Sequence, residues 1–385
     1  MMDEKPGFYE FFAGGGMARM GLGNHWKCLF ANDCCAKKTQ AYRGNFPPAH
    51  ELHCGDVAML TLDDLPGCPQ LAWASFPCQD LSLAGVRQGL NGKRSGNFWP
   101  FWQLMLAMQK DGREIPLIVL ENVSGAITSH NGADFRAIVQ TIMDAGYKIG
   151  AMVVDAVHFV PQSRPRLFLV AIKDDWEIPE GLLRQEPHPW CHSSALVDAA
   201  YSLPDNMNDS WLWWNLPEPP KRNIKLENII DENPKGVDWH TPSETARLIR
   251  MMSDINLQKL KAAKLSKRQM VGAIYKRTRS DENGERVQRA EVRFDGLSGC
   301  LRTPVGGSSR QIILTVEGNI TRSRLLSPRE CARLMGVPES YRLPGNYNEA
   351  YHLMGDGLAV PVVSWIESHL VYPLFCANHC LKEIA

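Results

Sequence analysis

The sequence predicts an α/β protein: a parallel sheet covered by helices, followed by a second, irregular region. Short β-rich apolar runs alternate with helical patterns up to about residue 175. Beyond about residue 180 the alternation gives way to proline- and tryptophan-rich stretches such as "HPWCHS", "SWLWWNLPEPP" and "ENPKGVDWHTP". At 385 residues and 44% hydrophobic content, the chain is long enough for two domains or one large domain with an insertion.

The strands read in order as "FYEFF" (8–12), "CLFAN" (28–32), "LAWASF" (71–76), "LIVLEN" (117–122), "GAMVVDAV" (150–157) and "LFLVAI" (167–172), with "ELHCGD" a weaker match. Several are apolar on both faces, as buried parallel strands are. "FWPFWQLMLAMQK" and "DFRAIVQTIMDAGY" carry helical apolar spacing, and Gly146 suits a helix terminus. In "SPRECARLMGVPESY", Ser327 fits an N-cap, Pro328 the first helical position and Glu330 the third, so a helix begins there. "AVPVVSWIESHLVYPLF" reads as a last helix that packs back on the sheet domain.

Composition narrows the function classes. The chain has no run of eighteen apolar residues and no basic-then-apolar start, so no membrane span or secretory signal is expected and the reading is cytoplasmic. Eleven cysteines, including the adjacent Cys34 and Cys35, fit free thiols. Formal net charge is zero, yet between Arg247 and Arg310 there are 15 Lys and Arg against 6 Asp and Glu, a balance of +9. Such a stretch is a solvated face or a phosphate-facing surface. Neither "HPWCHS" nor "CANHC" has paired zinc-type spacing, so no metal is expected.

"FFAGGGMARMGLG" sets glycines directly after the first strand, where small residues let backbone approach a ligand. Asp33 closes the second strand, where an acid can take both ribose hydroxyls, and Asp56 closes the third. Without a Walker-type lysine, a nucleoside-bearing cofactor is favoured over a triphosphate. Cys78 follows the fourth strand and Glu121 ends the fifth, so both belong to the same crevice. A cysteine nucleophile needs an accessible thiolate, and a carboxyl at a buried strand end can donate a proton. In "QSRPRLFLVA", Gln162, Arg164 and Arg166 precede another strand, and arginines at alternate extended positions share a face suited to an anionic or carbonyl oxygen.

The ordered series "FFAGGG", "SFPCQDLS", "LENV", "QSRPR", "RLLSPRECARLMG" and "GDGLAVPVV" resembles the DNA cytosine-5 methyltransferases over about residues 7–175 and 322–370. The resemblance implies a Rossmann-like S-adenosylmethionine-dependent fold with a smaller irregular target-recognition domain. The expected division is 7–180 catalytic core, 181–323 target recognition, and 324–385 returning to the core. It implies that Phe12, Gly14, Gly15 and Gly16 line the S-adenosylmethionine site, with Asp33 on the ribose and Asp56 and Val57 at the adenine. It further implies Cys78 as nucleophile with Gln79 beside it, Glu121 at the ring nitrogen N3, and Arg166 with Arg164 at O2. The resemblance also implies that the glycine-bearing loop carrying Ser82 closes over a flipped-out base. "LRTPVGGSSRQ" is the expected groove-reading loop, with Gln162, Arg302, Thr303 and Arg310 on DNA.

Two positions depart from the family. Asp356 stands where asparagine is usual and is expected near the methionine part of the cofactor. Cys34 stands where many members carry a bulky residue that stacks on adenine, so that packing is expected to be weaker or supplied by Phe98. The implied partner is double-stranded DNA, with a cognate restriction endonuclease and action as a monomer. A tRNA-modifying branch shares the chemistry, but its short insertion fits the 181–323 region less well. A silent DNA-binding regulator of this fold is expected to have lost the nucleophile or the carboxylate. An amino-directed methyltransferase would need an Asp or Asn followed by Pro-Pro and an aromatic, which is not found.

Overall fold

The computed structural model describes residues 5–77, 96–266, 268–280, 284–303 and 309–380. The chain forms two compact units. Met1–Asp155, Pro165–Pro219 and Val362–Ala385 make the first, and Ala156–Arg164 with Pro220–Pro361 the second.

In the first unit, β1 (Gly7–Phe11), α1 (Met17–Leu22), β2 (Lys27–Asp33), α2 (Ala36–Asn45), β3 (Leu52–Cys54) and β4 (Leu71–Ala74) lead to α3 (Phe98–Lys110) and β5 (Leu117–Val123). α4 (Ala133–Met143), β6 (Tyr147–Asp155), β7 (Pro165–Lys173), β8 (Leu183–Arg184), α5 (Ser194–Tyr201) and β9 (Trp211–Trp214) complete the sheet and its cover. The strand order is β3-β2-β1-β4-β5-β7-β6-β9-β8. Chain order reverses between β1 and β4, the switch point outside whose carboxyl ends ligands bind in doubly wound sheets. Tyr9, Phe11, Ala72, Ala74, Ile118 and Leu120 are buried in one apolar cluster with the inner face of α3. Those strands are apolar because both of their faces are covered.

The expectation of a parallel sheet holds from β3 to β5 and again between β6 and β9, and is broken at β7 and at the edge strand β8. β7 is antiparallel to both β5 and β6. The physical reason is the short link 156–164, since a parallel return needs a crossover of a dozen or more residues. Gly146 follows α4 at φ 85, and its N–H bonds the Met143 carbonyl.

α10 (Val360–Ile366) runs through a π-helical turn (Glu367–Val371) into α11 (Tyr372–Cys380). Within the first unit Ser364 donates to the Gly21 carbonyl at 2.9 Å, and buried Glu367 accepts from Trp26 Nε1 at 3.1 Å.

The second unit corrects the reading of 181–323 as irregular. α6 (Pro242–Arg250) and α7 (Asp254–Lys264) pack on an antiparallel sheet ordered β11-β10-β12-β13. The strands are β10 (Met270–Ser280), β11 (Arg286–Arg293), β12 (Ile312–Glu317) and β13 (Ile320–Leu325). Leu248, Leu260, Ile274, Val292, Ile312 and Leu314 fill its core. The boundaries expected at 180 and 323 fall elsewhere: β8 and β9 extend the first sheet, and 324–361 belong to the second unit. There α8 (Pro328–Leu334) starts on the expected capping box, Ser327 N–H to Glu330 at 2.7 Å and Glu330 N–H to the Ser327 hydroxyl at 3.3 Å. α9 (Tyr347–Asp356) follows.

Candidate active site

The glycine loop leaves β1 through Phe12 at φ 58, with Gly14 at φ 56 and Gly16 at φ 78. A Cβ at Gly14 would meet nothing within 4 Å, so open space lies beside this backbone. Asp33, nearly buried, fixes the loop: one carboxylate oxygen accepts from Gly14 N–H and the other from Cys35 N–H, each at 2.8 Å. Asp56 is exposed and accepts from Ala58 N–H at 3.0 Å. These residues make a cradle at the carboxyl ends of β1, β2 and β3, with room and acids that fit the nucleoside and amino-acid ends of S-adenosylmethionine.

A third carboxyl, beside this cradle, was not singled out from sequence. Glu10 of β1 is buried, its Oε1 accepts from Arg19 N–H at 3.2 Å, and its Oε2 has no partner among the described residues. Burial pushes its carboxyl up to about 8, against the lowering pull of the Arg19 amide and guanidinium. The apolar run around it hides it in the sequence.

Two expected cofactor residues lie in the apolar core. Phe98 is 1% exposed, stacked on Trp102 at 5.9 Å and packed against Phe76 and Trp99. Val57 belongs to the same cluster.

Glu121 and Arg166 do come together. Glu121 lies near the end of β5, and its Oε1 is 3.2 Å from Arg166 Nε on β7. The antiparallel register that sets Val123 against Arg166 makes the pair. The adjacent Asn122, buried, donates to the Phe76 carbonyl at 3.1 Å and accepts from Val123 N–H at 2.8 Å. It ties the end of β5 to the chain two residues before Cys78. Asn32 does the same at β2, donating to the Gly55 carbonyl at 2.9 Å beside Asp56. Cys78, Gln79 and Ser82 lie outside the described residues.

Arg164 belongs to the second unit and is 2% exposed. It donates to the carbonyls of Leu301 at 2.9 Å, Gly355 at 2.8 Å and Gly357 at 2.6 Å. Gln162 is fully buried, donating to the Leu334 carbonyl at 2.7 Å and accepting from Leu301 N–H at 2.9 Å. Both fasten the second unit through backbone groups, and the chain passes between units at 164/165. Asp356 accepts a short hydrogen bond from the Thr303 hydroxyl, and Arg302 is exposed beside it. Arg310 donates to Asn348 at 2.6 Å. Residues 304–308 of the expected reading loop are outside the described residues.

Comparison with known proteins agrees with this arrangement. The model of the C-5 cytosine-specific DNA methylases matches residues 7–371. The Type II methyltransferase M.MspI of a Moraxella species is 24% identical over 379 residues, 96% of this chain and 72% of its own. M.HhaI of Haemophilus parahaemolyticus is 24% identical over 364 residues, 93% of this chain and 92% of its own. The solved structure of S. pombe Dnmt2 methyltransferase shares the fold at TM-score 0.60 and 16% identity, over 96% of this chain and 99% of that one. Fold and cradle define a Rossmann-like, S-adenosylmethionine-dependent methyltransferase. The chain belongs to the C-5 cytosine-specific DNA methylase family and is a DNA cytosine methyltransferase.

Proposed function

We propose that the protein methylates carbon 5 of a flipped-out cytosine in double-stranded DNA through a covalent adduct at Cys78. The carrying observation is the Glu121–Arg166 pair at the end of β5, whose neighbour Asn122 anchors the segment leading to Cys78. When bound, S-adenosylmethionine supplies an electrophilic methyl group on a cationic sulfur. Carbon 5 of cytosine is too weak a nucleophile to take it unaided. The Cys78 thiolate adds to carbon 6, and the pair of electrons displaced from the ring double bond makes carbon 5 nucleophilic. Glu121 holds or protonates N3 as charge builds there, and Arg166 orients Glu121 and meets O2. After methylation the proton leaves carbon 5 and Cys78 is expelled, restoring the aromatic ring. The base must leave the stack, at a cost of a few kcal/mol.

The first compact unit is the proposed catalytic core, and the second, with its four-stranded sheet as framework, the proposed target-recognition part. The relatives called Type II methyltransferases support a cognate restriction endonuclease as partner. We place the enzyme in the cytoplasm, acting as a monomer.

The expected outcome is that Cys78→Ser binds S-adenosylmethionine near wild-type affinity and transfers no methyl group, because a hydroxyl is a far poorer nucleophile at neutral pH. DNA carrying 5-fluorocytosine should trap the wild-type protein, with the adduct on the Cys78 peptide by mass spectrometry. An adduct on another cysteine, or full activity in the serine variant, would overturn the assignment.

A further inference from the structure

The second unit holds a pocket of about 310 Å³ between α6 and the ends of β10, β12 and β13. Its floor is apolar: Leu248, Met251, Ile312 and Leu325. Its rim is basic. Arg247, Lys276 and Arg310 line it together with His240 and a single acid, Glu244.

The acid is already engaged. Glu244 closes the capping box of α6, accepting from Thr241 N–H at 2.8 Å and from the Thr241 hydroxyl at 2.9 Å. His240 Nδ1 is 2.9 Å from the Ser323 hydroxyl. The cations are less committed. The side chains of Arg247 and Lys276 make no hydrogen bond or ion pair among the described residues. Arg310 is held by Asn348 and by the Tyr347 ring, 5.7 Å from its guanidinium carbon, and its buried Nε has no hydrogen-bond partner among the described residues.

The backbone keeps the pocket open. β10 and β12 pair up to Ile274 and Ile312, and beyond them the Ser309 hydroxyl stands in for the ladder. It accepts from Lys276 N–H at 3.0 Å and donates to the Lys276 carbonyl at 3.2 Å. Ser309 thereby lines the pocket beside Lys276.

We propose that this pocket seats one phosphate of the DNA backbone on Arg247, Lys276 and Arg310, with the apolar face of the adjoining deoxyribose on the Leu248–Ile312 floor. Three cations against one engaged acid favour an anion, and the pocket has more room than a phosphate alone requires. The apolar floor argues for a sugar beside it, which a duplex backbone always presents. Arg310, expected to read a base, becomes a backbone contact that sets register and carries no sequence information. The proposal rests on the DNA methyltransferase reading.

The test is steady-state methylation of duplex DNA across a salt series by wild type, Arg247→Gln/Lys276→Gln, and Arg277→Gln. Arg277 lies on the same strand outside the pocket, 3.5 Å from Glu291. The double variant should raise KM for DNA about tenfold without raising KM for S-adenosylmethionine, and flatten the log KM against log salt slope by about one. Its circular dichroism and melting temperature should match wild type. A double variant that keeps the wild-type KM and salt slope overturns the pocket, as does an Arg277→Gln effect of equal size. Wild-type protein that transfers no methyl group overturns the underlying reading instead.

Discussion

Glu10 shows what a single buried carboxyl does to a glycine cradle. Its folded-state value of about 8 lies above the ordinary 4.5, so it takes up a proton on folding as pH rises between the two. Stability therefore declines from about pH 4.5 to about pH 8 and levels off above. Glu10→Gln, neutral throughout, should narrow the difference in Tm between those limits; an unchanged pH profile would mean that the carboxyl is not the source. At this scale the sequence revealed the residues whose chemistry fixes their place. Asp33 and Glu121 were legible because acids at the carboxyl ends of apolar strands stand out. The core packing of Phe98 and the backbone partners of Gln162 and Arg164 were not legible, because a residue type does not disclose whether it meets a core or a backbone carbonyl.

Among elements, the end of α9 and the 300–303 segment meet closely in the second unit. Arg164 holds both through backbone carbonyls, and Thr303 closes on Asp356. Gly355 permits the approach: a Cβ there would lie 3.1 Å from Thr303 N and 3.3 Å from the Arg302 carbonyl carbon. Gly355→Ala should push the 302–303 segment outward by a few tenths of an ångström. The expected result is a higher KM for DNA and a looser methylated motif by base-resolution sequencing, with at most about 1 kcal/mol lost in stability. An unchanged motif and KM would show that the junction does not govern DNA contact. The sequence announced α8 through its capping box, and the buried strands through their apolar runs. It hid β10 to β13, because an antiparallel sheet half open to solvent alternates basic and apolar residues, and a basic run reads first as surface.

For the whole molecule, the division into units was not legible, since each is assembled from separate stretches of chain. Gln162 and Arg164 reach the second unit from 156–164, far in sequence from 220–361. A fragment of 220–361 alone leaves the carbonyls of Leu301, Leu334, Gly355 and Gly357 without these donors. Each unsatisfied buried group costs roughly 1–3 kcal/mol. The fragment should melt well below the same fragment carrying 156–164 on a flexible linker, by circular dichroism; equal melting temperatures would count against the fasteners. The crossing at 164/165 also bears on descent. Arg164 serves one unit and Arg166 the other, so a recombination event that imports a foreign second unit inherits the host's Gln162 and Arg164 unless the breakpoints bring their own. New lineages of specificity are then constrained to donors whose carbonyls already suit the resident arginine, and the short stretch that ends in it acts as a gatekeeper of inheritance.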